Sequence, residues 1–420
     1  MRRSEQLKMN SQPVFQPQLT ITIEDERANL RGYVVIDSTI GERAVGGLRM
    51  LPDVSLEEVK ALARTMTLKY AFAGLRSGGA KGAIVGDPEM PAADKQQLLV
   101  SFFKALQPIL KSGLYLPRPD MGTHNGELIK AAEAAGIRKR QGRSGSGERS
   151  GLYTGFSVVG ASLAVLDRLK IPVPGCSVAI EGFGKVGSSV AQLFARYGAK
   201  VVAVSTRYGA IYSSYGLDVS KLIQLYERHG SGVVEHYQGA ERIEISELLE
   251  LEVDVLSPCA RFHSIDALNA PKIAAKAICA GANNPVTYEA DDLLFERGVL
   301  CPPDFVSNAG GMLGEAMEFA GLSEDFVREF LVSKFRSRVG EILDQAQRAQ
   351  RPPRKHLEPL MLEKFMAMKA KAENPDLRSR ILRVGKTLYS RGLIPQLVVQ
   401  FLSRYYFAKA FRAQVSNART

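Results

Sequence analysis

Two groups of residues in this 420-residue chain are equipped for chemistry. Lys69, in TMTLKYAFAGL, and Lys81, in SGGAKGA, stand twelve residues apart, and the second is bracketed by Gly78, Gly79 and Gly82. Two lysines are ordinarily solvated surface charges. A lysine inside a glycine cluster and followed by an apolar run fits that role less well: glycine lets backbone and ligand come close, and a desolvated amine has a lowered pKa suited to proton transfer. The second group is EGFGKVG, residues 181–187, which places G-x-G-x-x-G at Gly182, Gly184 and Gly187 with Lys185 and Val186 between the last two glycines. Glycine there tightens the turn and lets the backbone approach a pyrophosphate, whose charge then sits at a helix N-terminus. The competing reading is a tight turn in an α/β domain that binds no nucleotide.

For the glycine motif to act, a strand must enter it and a helix must leave it. SVAI (177–180) precedes it and the helix-patterned SSVAQLFARYGAK follows. An acidic residue holding the ribose 2′-hydroxyl is expected at the end of the next strand, about 20 residues on. That run, KVVAVS (200–205), is followed by Thr206 and Arg207. With no carboxylate to repel a 2′-phosphate and a guanidinium to pair with one, the reading between NAD and NADP inclines to NADP. The alternative is that Arg207 is a solvated loop charge.

The surrounding pattern supplies both kinds of element. LTITIE and LRGYVVID, within residues 19–37, read as strands, residues 56–75 carry apolar residues at helical spacing, and KGAIVGDP (81–88) reads as a strand stopped by Asp-Pro. The polar, glycine- and serine-rich stretch at 138–151 has the composition of an exposed joint. Beyond it, the apolar runs at 177–180, 200–205, 253–257 and 277–282 alternate with helical segments, the mark of a parallel sheet covered by helices. The expected class is therefore α/β. The pattern divides the chain into a mixed α/β half over 1–150, a doubly wound Rossmann domain over 151–310, helices at 311–350 and a basic helical extension over 351–420.

Composition excludes several classes. Hydrophobic residues at 45% and charged residues at 24% rule out wholesale disorder, collagen-like sequence and coiled coil. The longest uncharged runs are broken by Gly, Ser, Thr, Gln or Pro and fall short of a spanning helix, and no apolar stretch follows the two N-terminal arginines as in a secretory signal. Four cysteines without C-x-x-C spacing suggest neither a disulfide framework nor a zinc site, so no metal is expected and a reducing cytoplasm fits. The net charge of +11 is local: residues 351–420 hold 15 Lys+Arg against 4 Asp+Glu, a surplus equal to that of the whole chain.

Taken jointly, VGGLRM (45–50), MTLKYAFAGLRSGGAKGAIVGDP (66–88), PDMGT (119–123), EGFGKVG, PCA (258–260), GANNP (281–285) and PDFVSNAGG (303–311) resemble, in identity and order, the glutamate/leucine/phenylalanine/valine dehydrogenase superfamily. GGLRM, AGL, GDP, PCA and ANN look more like its leucine and phenylalanine branch. The resemblance spans roughly residues 30–350 and implies NAD(P)-dependent, reversible oxidative deamination of an amino acid by a homo-oligomer, with 1–150 as the substrate-binding and oligomerisation domain and the helices at 311–350 returning to it. It implies that Lys69 pairs with the substrate α-carboxylate, that Lys81 acts on the water attacking the iminium carbon, and that Asp120 shuttles protons to the amino group. A lowered-pKa amine beside a carboxylate is a coherent acid–base pair. Gly47 and Asn308 match substrate-lining positions, and Thr154, Ala260 and Asn283 match cofactor-contacting ones. Separately each residue has an ordinary reading: Asp120 as a helix cap, Asn283-Asn284-Pro285 as a loop, Gly310-Gly311 as a tight bend. The class-level rival is a descendant without turnover that binds nucleotide or a partner; the presence of Lys69, Lys81 and Asp120 weighs against it.

Departures from the family pattern concern the substrate pocket. Where glutamate enzymes resemble KGG, with a lysine receiving the side-chain carboxylate, this chain has Val45, which points away from glutamate. Arg118 stands two residues before Asp120, in place of a small residue. Glu315 stands four residues after Gly311, in place of serine or a small apolar residue. Buried alone, either charge would be costly, so an inward-facing pair would contact each other or a polar substrate group; the rival reading leaves Glu315 facing solvent.

In the tail, Ile381, Leu388, Leu397, Phe401, Tyr405 and Phe411 recur with Lys and Arg between them. This pattern fits a helix docked on the chain's own body or on a neighbouring subunit. After that comes contact with an anionic membrane surface or partner protein, and last nucleic acid, for which no recognised module is present.

Overall fold

A computed structural model describes residues 16–137 and 149–412. The expected joint at 138–151 lies outside the described residues up to position 148, as does most of the N-terminal stretch. Two compact units form, one from residues up to 67 together with those from 77 onward to the joint, the other from residues 68–76 and everything after the joint.

The first unit is built on a five-stranded sheet of β1 (Leu19–Asp25), β2 (Leu30–Ile36), β3 (Ala44–Leu51), β4 (Gly78–Val85) and β5 (Tyr115–Pro119), in the order β1-β2-β4-β3-β5. The pairings β1·β2 and β2·β4 are antiparallel, while β3·β4 and β3·β5 are parallel. Alternation of side chains divides this sheet into two faces. Ala44, Leu48, Met50, Ala80 and Ile84 pack into a core with Leu99, Phe102 and Phe103 of the helix Ala92–Ala105. Val35 and Ala83, on the other face, meet Val59 and Ala63 of the helix Leu56–Ala73. Lys81 shares that second face. The strand holding it begins earlier than its apolar run suggests and includes the glycines: a Cβ on Gly79 would lie 2.2 Å from the Thr67 nitrogen. Glycine here admits the helix Leu56–Ala73 against the strand, a correction to the expectation that these glycines make room for a ligand.

In the second unit, β6 (Ser177–Glu181), β7 (Lys200–Thr206), β8 (Gly209–Tyr212), β9 (Glu241–Ile243) and β10 (Val255–Pro258) form a sheet in the order β10-β6-β7-β8-β9. The first three in this order are parallel, as the alternation of runs and helices requires, but β8 and β9 are antiparallel additions. The tight turn at Arg207-Tyr208, closed by Gly209 at φ +116°, folds the chain straight back and prevents a crossover there. Residues 277–282 make isolated bridges rather than a strand, Ile278 to Leu256 and Ala277 to Leu300.

The helix Ser150–Leu169 is long and apolar enough, by length and composition, to cross a membrane, yet it is buried from Tyr153 to Leu166. A helix apolar on all sides needs partners all round it; this one packs against the helices Lys185–Arg196, Gly310–Phe319 and Phe335–Arg348. Gly310 makes that packing close, since a Cβ would lie 2.1 Å from the Tyr153 carbonyl oxygen. Gly310 and Gly311 thus begin a helix and seat it, and do not make the bend their pairing suggests.

Three helices follow the second half: Pro353–Glu373, Leu377–Ser390 and Gln396–Arg412. The last two dock on the second unit itself through Tyr389, whose hydroxyl donates to the Phe319 carbonyl at 3.0 Å and whose ring meets Phe319 edge-on, and through Arg404, which lies over the Phe326 ring. Ile381, Leu397, Phe401 and Tyr405 remain exposed. The side chain of Phe411 lies outside the described residues.

Candidate active site

In the first unit, Lys81 stands mid-strand on β4 and is 2% exposed. Its ammonium forms an ion pair with Asp120, the residue immediately after β5. The parallel register of β3 and β5 sets Gly47 opposite Arg118, and Leu48 of β3 is paired with both Gly82 and Pro119, so that these strand ends meet beside Lys81. A Cβ on Gly47 would lie 2.7 Å from the Asp120 Cβ, and one on Gly82 would lie 2.7 Å from the Tyr115 hydroxyl. Only residues without side chains at 47 and 82 leave the carboxylate and the phenol where they are.

Asp120 has a second cation. Arg49 Nε stands 3.4 Å from its Oδ2, and the other end of that guanidinium bonds Glu58 on the helix Leu56–Ala73. Asp120 is oriented through its own backbone, whose N–H donates to Thr123 Oγ1 at 3.1 Å while that hydroxyl donates to the Leu48 carbonyl at 2.8 Å. Burial pushes the Lys81 amine below its ordinary value; Asp120 opposes the shift and Arg49 adds to it. Burial alone would raise the Asp120 pKa, but Lys81 and Arg49 outweigh it and hold the carboxyl well below the usual range. The Asp120 carboxylate therefore has a permanent partner in Arg49 even when Lys81 gives up its proton. Sequence reasoning missed Arg49 and Glu58. The available signal was an arginine in a strand otherwise apolar, where a charge must be paired. Val45 is half-buried on the same face of β3 as Gly47 and Arg49, and Arg118 is half-buried on β5.

In the second unit the three motif glycines do three different jobs. Gly182 has φ +92° and a Cβ there would strike Ala260 at 2.6 Å; Gly187 lies against the Gly182 carbonyl; Gly184 has nothing within 4 Å of its would-be Cβ. Gly184 is the N-cap of the helix Lys185–Arg196, and Lys185 and Val186 open that helix. The loop is pinned to the end of β7, for Gly182 N–H donates to Ser205 Oγ at 2.9 Å and Phe183 N–H to the Ser205 carbonyl at 2.7 Å. An open, exposed backbone at a helix N-terminus, beside a close-packed turn, fits the pyrophosphate of a dinucleotide. Beyond Ser205, the Thr206 hydroxyl accepts from Tyr208 N–H, and the Arg207 guanidinium lies over the Tyr208 ring. Arg207 and Tyr208 line a surface hollow with Arg242, Glu244 and Glu247.

Also in the second unit, Lys69 donates to Asn283 Oδ1, which accepts a second bond from Asn308 Nδ2 at 3.1 Å. Asn308 Nδ2 also donates to the Ala282 carbonyl at 2.7 Å, while its Oδ1, though buried, has no hydrogen-bond partner. The sequence-predicted Lys69, Asn283 and Asn308 are thus brought together. Thr154, on the helix Ser150–Leu169, bonds back to the Ser150 carbonyl at 2.8 Å and packs against Gly311. Glu315 is half-buried midway along Gly310–Phe319.

Comparison with known proteins supplies the context for these clusters. The family model described as glutamate/leucine/phenylalanine/valine dehydrogenase matches residues 145–371, and the one described as the Glu/Leu/Phe/Val dehydrogenase dimerisation domain matches residues 13–134. Glutamate dehydrogenase of Thermotoga maritima is 35% identical over 393 residues, covering 87% of each chain. The NADP-specific glutamate dehydrogenase of Saccharolobus shibatae is 34% identical over 288 residues, 66% of this chain and 67% of that protein. Among solved structures, the hetero-hexameric glutamate dehydrogenase of Thermus thermophilus in its Leu-bound form superposes with a TM-score of 0.70 at 26% identity, over 84% of this chain and 89% of that one.

Proposed function

The chain belongs to the glutamate/leucine/phenylalanine/valine dehydrogenase family, and from that premise we propose that it catalyses the reversible oxidative deamination of an L-amino acid. Amino acid, water and oxidised coenzyme give 2-oxo acid, ammonium, reduced coenzyme and a proton. The observation that carries this reading is the buried Lys81–Asp120 pair with Arg49 as the second cation on the carboxylate. A nicotinamide coenzyme, when bound, supplies the two-electron acceptor for the substrate α-carbon. Gly182, Gly184, Lys185, Val186 and Gly187 would hold its pyrophosphate, with Thr154, Ala260, Thr206 and Asn283 lining the rest.

The protein's own residues divide the remaining work. Lys69 holds the substrate α-carboxylate as a charge-assisted donor, and Asn308 Oδ1 offers a buried acceptor to a substrate N–H. Lys81, with its proton affinity lowered by burial, takes a proton from the attacking water. Asp120, kept ionised by Arg49, relays protons to and from the amino group. Intact Lys69, Lys81 and Asp120 disfavour a descendant without turnover.

As to the coenzyme, we favour NADP, because β7 ends in Thr206 without a carboxylate and Arg207 and Arg242 line the adjoining hollow. As to the substrate, we favour one whose side chain is not a carboxylate, because Val45 supplies no cation on the β3 face where it stands beside Gly47; Arg118 and Glu315 suit a polar or unusual side chain. A homo-oligomer in the cytoplasm completes the reading. Following reduced-nicotinamide absorbance with both coenzymes across the proteinogenic amino acids tests all of this. Turnover with an apolar or polar uncharged amino acid is expected; turnover confined to glutamate would remove the substrate assignment, and none with any amino acid would remove the function.

A further inference from the structure

One buried charged cluster in the second unit lies outside the roles described so far. Arg354, in the first turn of the helix Pro353–Glu373, is 6% exposed and donates to Asp304 Oδ1 at 2.6 Å and to the Val286 carbonyl at 3.2 Å. Its guanidinium lies 5.1 Å from the centroid of the Tyr288 ring, and the Tyr288 hydroxyl donates to Glu358 Oε2 at 2.7 Å. The second oxygen of Asp304 accepts the backbone N–H of Asn284 at 2.9 Å.

A buried ion pair contributes little net stability over an apolar pair of the same volume, so its presence calls for another reason. Asn284 supplies one. Its φ is +48°, a left-handed conformation that asparagine adopts more readily than most residues; its carbonyl accepts the His263 N–H at 2.9 Å and the nearby Val286 bridges Ile265, while its own N–H turns to Asp304. The bond that the Asn284 N–H donates to Asp304 holds this amide in place, and Asn284 is joined directly to Asn283, whose side chain engages Lys69 and Asn308. Asp304 and Asn308 also lie one helical turn apart, with the Asn308 N–H donating to the Asp304 carbonyl at 3.0 Å.

We propose that Arg354 and Asp304 are positioning residues that act through the backbone of Asn284 to fix the Asn283 side chain, and with it the Lys69 ammonium, for ligand binding. What is bound rests on the dehydrogenase reading above; that the segment is held in this way does not.

The test uses the full-length chain with Arg354→Met and, because loss of the guanidinium leaves the buried Asp304 carboxylate without its cation and so risks unfolding the unit, Asp304→Asn as a gentler change. Amide exchange is measured without coenzyme. At least a tenfold faster exchange across residues 281–288 is expected in both variants, with the helix Ser150–Leu169 as protected as before. Exchange unchanged at 281–288, or raised equally throughout the unit, would overturn the proposal. With coenzyme and the best amino acid, the KM of the amino acid is expected to rise at least tenfold while kcat falls less than threefold, and Arg354→Lys is expected to recover part of the loss. A wild-type chain that neither binds a nicotinamide coenzyme nor turns over would defeat the dehydrogenase reading alone, leaving the exchange result to decide this one.

Discussion

Gly187 stands so close to Gly182 that a Cβ on the first would lie 1.9 Å from the carbonyl oxygen of the second, whereas a Cβ on Gly184 between them would meet nothing within 4 Å. The motif therefore separates packing from binding. Gly187→Ala is expected to displace the loop from the helix and cost about 1–3 kcal/mol, as overpacking does. Gly184→Ala, at a φ of −101° that any residue adopts, is expected to change stability by less than about 1 kcal/mol while weakening coenzyme binding at least about tenfold. Thermal melting and titration of reduced-coenzyme fluorescence check the pair; equal melting losses for both variants would remove the distinction.

The Arg49 guanidinium joins Glu58 to Asp120 within the first unit. Arg49→Met leaves both carboxylates without it, and breaking such a buried network by removing one partner costs about 3–5 kcal/mol. Two cations lower the Asp120 pKa, so the stability its ionised form contributes is present above the ordinary carboxylate range and fades as pH falls through the lowered value. Without Arg49 that loss begins at higher pH. Acid unfolding followed by circular dichroism should shift upward in the variant, and an unshifted midpoint would show that Arg49 does not govern Asp120.

Much of this architecture was legible because it is local. The glycine motif lies between an apolar run and a helical run, and β6, β7 and their helix follow from those patterns alone. Lys81 was recognisable as buried from its glycine cluster, although the glycines turned out to admit Thr67 and Tyr115 and not a ligand. What could not be read depends on contacts distant in sequence. Arg49 and Glu58 come together only once β3 lies beside the helix Leu56–Ala73, and Arg354 reaches Asp304 across 50 residues. Nor does an apolar run announce its pairing partner: 277–282 has the composition of a strand but finds isolated bridges, while β8 and β9, shorter and more polar, are strands by virtue of the turn at Gly209.

Glu181 ends β6 with its side chain 3% exposed, where burial pushes its carboxyl up to about 7 despite the bond donated by Ser264. A carboxyl whose folded pKa exceeds its unfolded one binds more protons in the native state, so stability is greatest below the unfolded value and falls as pH rises from about 4.5 to about 7. Glu181→Gln mimics the protonated form and removes that decline. The variant is expected to be more stable than the parent at pH 8, by up to about 3 kcal/mol, and nearly equal to it at pH 4.5. Urea unfolding at both values checks the sign; a constant difference would mean that Glu181 does not titrate in this range.

The final prediction concerns Lys81, whose proton affinity is lowered by burial and further by Arg49, with Asp120 acting against both. If the neutral amine is the base that activates water, kcat/KM for deamination must rise with pH until Lys81 is deprotonated. The rise should end below the range of an ordinary lysine. Lys81→Ala is expected to lower kcat by about 10²–10⁴, the usual worth of a positioned acid–base group, while leaving coenzyme affinity within about threefold, since the glycine loop lies on separate elements. Arg49→Lys, which keeps the charge but not the forked geometry, should retain the lowered Lys81 value better than Arg49→Met, in which the ascending limb moves to higher pH because a cation that discourages protonation of Lys81 is gone. A pH–rate profile identical in all three chains would show that Lys81 is not the titrating base, and residual kcat near the parent value in Lys81→Ala would show that it takes no proton at all.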